Sequence, residues 1–414
     1  MTAVLPVLLC LAAGVSSAQA PLPLTMEDAV ANAIDQNPRL SVVAGTIAAA
    51  QAGVGIAREP ANPSIVFTPG ITGPDGSDEE LVIQQRLEVN GVRSARTGVA
   101  RAQLDLTLAQ AGVETNELVY RTKAAYWELA RARAMLALAG EVLQIAEEFG
   151  QGVARRVEEG LEPGADRVQT VIEASRARQQ AILAESAVRI ATARLNGLMG
   201  NLPHTPIGEL PPLAFEAVDV DREEAVQAAL VSRPELGLQE ASRESLVHEA
   251  RLVRAEGRPD LIPHVRAESI VRERRGIGVG IGVELPFLDR GSRRSRARRV
   301  SALAEAQDAR TEAARAQIRL EVEQALARLD AAESRIEEYQ QGTLTQARWL
   351  LDAHLTGADI GAPDTNVLTV LEAQRTFRAV QAEHADALVE HAIARAELEW
   401  AMGMAPPEPA GRNQ

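Results

Sequence analysis

Leu118-Val-Tyr-Arg-Thr-Lys-Ala-Ala-Tyr-Trp-Glu-Leu-Ala-Arg-Ala-Arg-Ala-Met-Leu136 places Leu118, Thr122, Ala125, Leu129, Ala132 and Leu136 at alternating steps of four and three. That spacing is the seam of a helix packed along another helix. No proline interrupts residues 75–162, so the helix can run from about 92 to 158. At ~1.5 Å per residue it would rise roughly 100 Å, which makes it a column rather than part of a compact core. The pattern returns as Ile318, Val322, Ala325, Leu329, Ala332, Ile336 and Tyr339, inside a second proline-free stretch over 287–362.

The columns belong to a larger duplication. Residues 27–40 match 223–236 at an offset of 196, with six identities in fourteen positions, including Pro38 on Pro234. Further on the offset is 200, Gly91 and Arg93 falling on Gly291 and Arg293. Each half opens with a short helix announced by a capping signature, Thr25-x-x-Asp28 or Asp221-x-x-Glu224. A second helix follows each proline, then a β-hairpin, then the long helical hairpin. The predicted layout is a signal over 1–20, a first repeat over 21–200, a linker over 201–220, a second repeat over 221–403 and a tail over 404–414. In the first repeat the hairpin covers about 64–89 and the long helices 92–158 and 164–199; in the second, 261–287, 292–356 and 364–402. Pro203, Pro206, Pro211 and Pro212 mark the linker.

The second hairpin is the most regular strand signal. Ile277, Val279, Ile281, Val283, Leu285 and Phe287 alternate with Gly278, Gly280, Gly282 and Glu284. One side is lipid-compatible and the other presents little but backbone to a lumen. The partner segment sets Val265 and Ala267 against His264, Arg266 and Glu268, and in the first hairpin Leu81 and Ile83 alternate with Val82 and Gln84. A half-buried pair of hairpins on a soluble core has the same alternation. Strand length and the export signal favour membrane strands, and four strands with open edges must then oligomerise, because unpaired backbone groups in hydrocarbon cost several kcal/mol each.

Composition narrows the function. The 414 residues are 46% hydrophobic but only 3% aromatic, a balance suited to long alanine-rich helices, and a net charge of -14 argues against nucleic acid as a partner. The apolar run 4–15 followed by Ser16-Ser-Ala-Gln-Ala20 reads as an export signal, although no Lys or Arg precedes Arg39. Cys10, the sole cysteine, lies in that run, so cleavage leaves no thiol; lipid attachment there is the alternative, with Leu8 and Leu9 where small residues are wanted. No uninterrupted run of 18 apolar residues follows, so any membrane span is expected to be β. No protease, esterase or phosphate-loop motif occurs, and the chain calls for no catalytic residue, resident metal or cofactor. His384 and His391 share a helical face seven residues apart and read as packing groups before they read as ligands. Trp127, Trp349, Tyr126 and Tyr339 are expected between helices.

Doubled short helices, hairpin and long coiled hairpin resemble the TolC-type outer-membrane factors from about 24 to 403. The resemblance implies a mainly α fold with a membrane β part, as a homotrimer closing a 12-strand β-barrel and a 12-helix periplasmic α-barrel. It further implies contact with outer-membrane lipid, a periplasmic adaptor (membrane fusion protein) and an inner-membrane pump. Arg86-Leu-Glu-Val-Asn-Gly-Val-Arg93, Asn62-Pro63 and Leu285-Pro-Phe-Leu-Asp-Arg290 resemble the CzcC branch, which serves heavy-metal pumps of the resistance-nodulation-division (RND) class. Drugs, organic solutes or secreted polypeptides are the alternative cargo, and a soluble periplasmic coiled-coil adaptor is the rival class. The family gates and docks at its helical tips. Here these hold Gly160, Glu162, Gly164 and Asp166, and Asp359, Asp364 and Glu372, with Thr369 where a second carboxylate is expected and Asp364 equally suited to cap a helix. Arg290, Arg293, Arg294, Arg296, Arg298 and Arg299 crowd a helix start and oppose its dipole, which lipid phosphates or plain solvation would relieve.

Overall fold

The computed structural model describes residues 23–69, 79–161, 163–268, 276–286, 291–359 and 367–404. The expected signal with Cys10, and also Glu162, Phe287, Arg290 and Asp364, lie outside the described residues. The chain runs α1 (Met26–Gln36), α2 (Pro38–Arg58), β1 (Ser64–Thr68), β2 (Glu80–Gln84), α3 (Val92–Glu158) and α4 (Gly164–Leu198). It continues through α5 (Arg222–Ser232), α6 (Pro234–Ala255), β3 (Asp260–Glu268), β4 (Gly276–Glu284), α7 (Ser292–Glu338), α8 (Leu344–Asp359) and α9 (Val367–Ala401).

Local chemistry explains the starts. The Thr25 hydroxyl accepts from the Asp28 N–H at 3.1 Å, the Asp221 carboxylate accepts from the Glu224 N–H at 2.9 Å, and Pro38 and Pro234 each open a helix where no N–H is needed. The heptad stripe is the buried one: Leu118, Thr122, Ala125, Leu129 and Ala132 on α3 and Ile318 through Ile336 on α7 are buried, with Ala125, Leu129 and Ala132 packed against α1 and α4, and Ile318, Val322, Ala325 and Leu329 against α5 and α9. Small residues carry these contacts, Ala29, Ala125, Ala225 and Ala325 being fully enclosed, so the helices approach closely without large side chains between them.

Three features depart from expectation. The second column is broken by a π turn at Tyr339–Thr343 around Gly342, and its helix then continues to Asp359. A π turn inserts one residue and rotates the helix face, which ends the heptad stripe at Tyr339. Helix α2 is, by length and composition alone, long and apolar enough to cross a membrane, with a mean hydropathy of 1.7 over its window, although no such segment was expected. Its apolarity is diluted by Gly45, Gly53 and Gly55, so no uninterrupted run appears, and it lies along α3. Finally, β4 stops at Glu284, leaving Leu285 outside the strand, because Pro286 has no N–H to continue a ladder.

Residues 201–220 contain no helix or strand, yet they are fastened: Arg133 donates to the Ile207 and Gly208 carbonyls at 2.8 and 2.6 Å, and Asn196 Nδ2 to the Thr205 carbonyl at 2.8 Å.

Candidate functional site

The four strands form one antiparallel sheet in the order β1-β2-β3-β4. Register decides which residues share a face, since directly opposed residues project the same way. One row aligns Ile65, Ile83, Val265 and Val279; the next aligns Phe67, Leu81, Ala267 and Ile277. Pro263 with Ile281 and Leu261 with Val283 complete this face, and no polar residue falls on it. It is also bare: Ile277, Val279 and Ile281 are 81%, 84% and 71% exposed.

The opposite face aligns Ser64, Gln84, His264 and Gly280, then Val66, Val82, Arg266 and Gly278, then Thr68, Glu80, Glu268 and Gly276. The glycines of β4 make room for the polar side chains of β3. A Cβ on Gly280 would sit 2.5 Å from His264 Nε2, and one on Gly278 3.2 Å from Arg266 Nε. Arg266 also pairs with Glu268 at 3.2 Å. Gly282 lies beside Ile262, and Glu284 pairs with Arg86 at 2.9 Å. Arg86 in turn holds Asp260 at 2.8 Å, tying β3, β4 and the chain beyond β2 at one end of the sheet. Beyond β2 the pairing continues through Gln85 N–H to the Pro263 carbonyl at 3.1 Å and a bridge from Leu87 to Leu261, short of the strand expected to reach residue 89.

At the far end of the long helices, Gly160 adopts a left-handed φ of 76° and Leu161 N donates to the Arg156 carbonyl at 2.8 Å, a glycine-terminated helix end. Pro163 and Gly164 restart the chain as α4, and Asp166 lies half-exposed in its first turn. Asp359 is the last residue of α8. Val370, Leu371 and Ala373 are buried in the first turns of α9 while Glu372 between them is exposed. Leu371 meets Val153 among Phe149 and Val157, so the start of α9 is seated on the end of α3. Glu173 of α4 binds Arg176 at 2.9 Å and also Arg375 of α9. Burial pushes the Glu173 carboxyl up, but the two guanidiniums outweigh it and hold it below the usual carboxylate range. Beside this ion triad is a cavity of about 610 Å³ between α3, α4 and α9, bordered by Arg378, whose pKa burial lowers and which reaches the Val142 carbonyl at 3.4 Å.

The basic run divides in the structure. Arg296 pairs with Glu256, just past the end of α6, at 2.7 Å and Arg299 with Glu249 of α6 at 2.5 Å, Arg293 reaches the Pro286 carbonyl, and Arg294 and Arg298 stand exposed with no partner among the described residues. His391 is buried against Glu333 at 3.2 Å and the Phe215 ring, whereas His384 meets the Tyr339 ring edge-on. Among the described residues no three His, Cys, Asp or Glu side chains gather to hold a metal ion. Tyr126 is buried, its hydroxyl donating to the Leu24 carbonyl at 3.0 Å, but Trp349, expected in packing, is exposed on α8.

A family profile described as outer membrane efflux protein matches residues 29–201 and 225–404. The chain belongs to the outer membrane efflux protein family. Within reach of this family, Protein CyaE of Bordetella pertussis is 29% identical over 331 residues, 75% of this chain and 70% of that protein. The cobalt-zinc-cadmium resistance protein CzcC of Cupriavidus metallidurans is 25% identical over 367 residues, 86% of this chain and 84% of that protein. The solved outer membrane channel CmeC of Campylobacter jejuni aligns at a TM-score of 0.79 and 13% identity, covering 91% of this chain and 85% of its own, a likeness of fold.

Proposed function

We propose that this efflux protein is the outer-membrane channel of a tripartite efflux system. Three copies close a 12-strand barrel in lipid and continue it as a 12-helix tunnel through the periplasm. The single observation that carries this reading is the unbroken apolar face of the sheet, bare across all four strands. Exposed apolar surface of that extent needs lipid or protein against it. A soluble adaptor has no use for it. The hairpins 64–89 and 261–287 are then the membrane part, and each repeat, 21–200 and 221–403, contributes half of one subunit's wall.

The channel does no chemistry of its own. An inner-membrane pump of the RND class supplies the energy, a periplasmic adaptor joins the two, and the tips carrying Gly160, Glu162, Gly164, Asp166, Asp359, Asp364 and Glu372 dock and open. Threefold repetition would turn any of these carboxylates into a ring that concentrates cations. Heavy-metal cations are the proposed cargo. The resemblance to a cobalt-zinc-cadmium resistance protein and the net charge of -14 support it.

Two substitutions one residue apart test the barrel. Val279→Arg puts a charge on the lipid face and should cost roughly 2–4 kcal/mol near the midplane, read as failure to assemble in the outer membrane. Gly278→Arg meets the Arg266 side chain from Cγ to Nε, which has to turn aside into the open face; it should assemble and reduce single-channel conductance. Equal assembly with unchanged conductance would overturn the barrel. For cargo, deleting the gene should lower growth on cobalt, zinc and cadmium; loss of antibiotic tolerance alone would overturn the metal reading.

A further inference from the structure

Most of the described arginines of this acidic chain are answered. Along the helices Arg131 meets Asp386, Arg178 meets Glu147, Arg194 meets Glu128, Arg328 meets Glu397 and Arg335 meets Glu390. One group is not. Arg58, Arg93, Arg101, Arg251, Arg254 and Arg258 line a single cleft of about 870 Å³, and no Asp or Glu lines it. Their side chains have no ion pair or hydrogen bond among the described residues. Three elements deliver them: the end of α2, the first turns of α3, and the end of α6 with the turn after it.

The cleft also receives the N-terminus of the 67-residue α3, with Gly91 and Ser94 on its wall. The positive end of that helix dipole adds to the guanidinium charge instead of relieving it. Six like charges converging on one concavity repel one another, and with no carboxylate in the cleft to answer them they are left to an anion from outside. Guanidinium forks match the oxygens of a phosphate better than those of a simple halide.

Position narrows the source. Residue 58 lies six residues before β1, residue 93 follows β2 by nine, and residue 258 precedes β3 by two. The cleft is therefore at the end of the sheet where the helices begin, which is the membrane–water boundary if the sheet spans lipid. The geometry points to a site for a phosphate group, presented by the headgroup of an anionic phospholipid in the leaflet facing the periplasm. This rests on the barrel reading above. Bound there, the lipid would neutralise the cluster and fasten α2, α3 and α6 together below the barrel.

The test uses full-length protein extracted in mild detergent, with phosphatidylglycerol, phosphatidylcholine and inorganic phosphate as probes, and native mass spectrometry counting the lipids retained. Wild type should retain phosphatidylglycerol over phosphatidylcholine. Arg93→Gln/Arg254→Gln/Arg258→Gln should weaken that retention by at least about tenfold while the protein still assembles and conducts. Should the triple variant fail to assemble, Arg58→Gln/Arg101→Gln reads the same loss from the rim of the cleft. Undiminished retention in the variants overturns the site. Displacement of phosphatidylglycerol by inorganic phosphate at equal concentration overturns the lipid source and leaves a cleft for a soluble anion. If wild type proves to be a water-soluble monomer, the barrel reading fails by itself, and calorimetry with inorganic phosphate on the same protein still judges the cleft.

Discussion

Arg233 and Asn37 occupy corresponding places, each just before the proline that opens a helix, and each ties that corner to the end of a returning long helix. Asn37 Nδ2 donates to the Leu198 carbonyl at 2.8 Å, and its Oδ1 caps Arg39 N at 2.9 Å. Arg233 donates to the Ala401 carbonyl at 3.1 Å, holds Glu321 and Glu235 at 2.6 Å each, and lies 4.1 Å over the Trp400 ring. The corners are tight because Gly200 and Gly403, both left-handed, would drive a Cβ to within 2.3 Å of the Gln36 carbonyl oxygen and 2.8 Å of the Ser232 backbone. Arg233→Ala strips two carboxylates of a buried partner and should cost about 3 kcal/mol. Asn37→Ala removes a cap and one hydrogen bond and should cost about 1–2 kcal/mol. Unfolding midpoints of the extracted protein should fall in that order; equal shifts would mean the charge network adds nothing beyond the carbonyl contact. The duplicated proline announces the corner in the sequence. The replacement of an amide by a guanidinium does not announce its partners, because Glu321 is 88 residues away from Arg233 along the chain.

Helix α4 is apolar on two sides. Ala177, Ala191 and Leu195 face its own hairpin, while Val168, Val171, Ile172, Ile182, Leu183 and Ile190 stand exposed at helical spacing. A single-stranded column has no reason to keep such a second stripe, and a neighbouring copy would cover it. Leu183→Glu should leave far-UV helix content unchanged and shift the detergent-extracted protein from trimer to monomer, the lost burial amounting to about 2 kcal/mol per copy. An unaltered trimer would remove α4 from the interface. At this scale the sequence is legible where a pattern repeats often enough to outvote local noise, as the stripes of α3 and α7 do. It is silent where one residue acts alone. Nothing around Gly342 announces a π turn, and nothing around Trp349 tells an exposed ring from a buried one. The arginine cleft is invisible for a related reason: three separate elements bring together residues that no spacing rule connects.

Within one copy the sheet stays open. Strands β1 and β4 are its two edges, and in hydrocarbon their free N–H and C=O groups have nothing to bond unless β4 of one copy pairs with β1 of the next. Two rows of the apolar face run across all four strands, so closure would extend those rows from copy to copy. In the proposed barrel the strands would tilt and the closing register would be staggered, so the partner of Val279 on a neighbouring β1 has to be found by scanning. The chain suits the experiment because Cys10 is its only cysteine, and it lies in the expected signal. Double variants that place cysteine at Ile65 or Phe67 on β1 and at Ile277, Val279 or Ile281 on β4 sample the plausible registers. Adjacent strands bring Cα atoms within disulfide reach only when paired, so at least one combination should oxidise into covalent species that stop at three copies. A ladder that continues past three would mean an open assembly rather than a ring. If every combination stays monomeric while a pair across β3 and β4 within one subunit, Val265→Cys with Val279→Cys, oxidises normally, the edges do not meet and no barrel forms by this route.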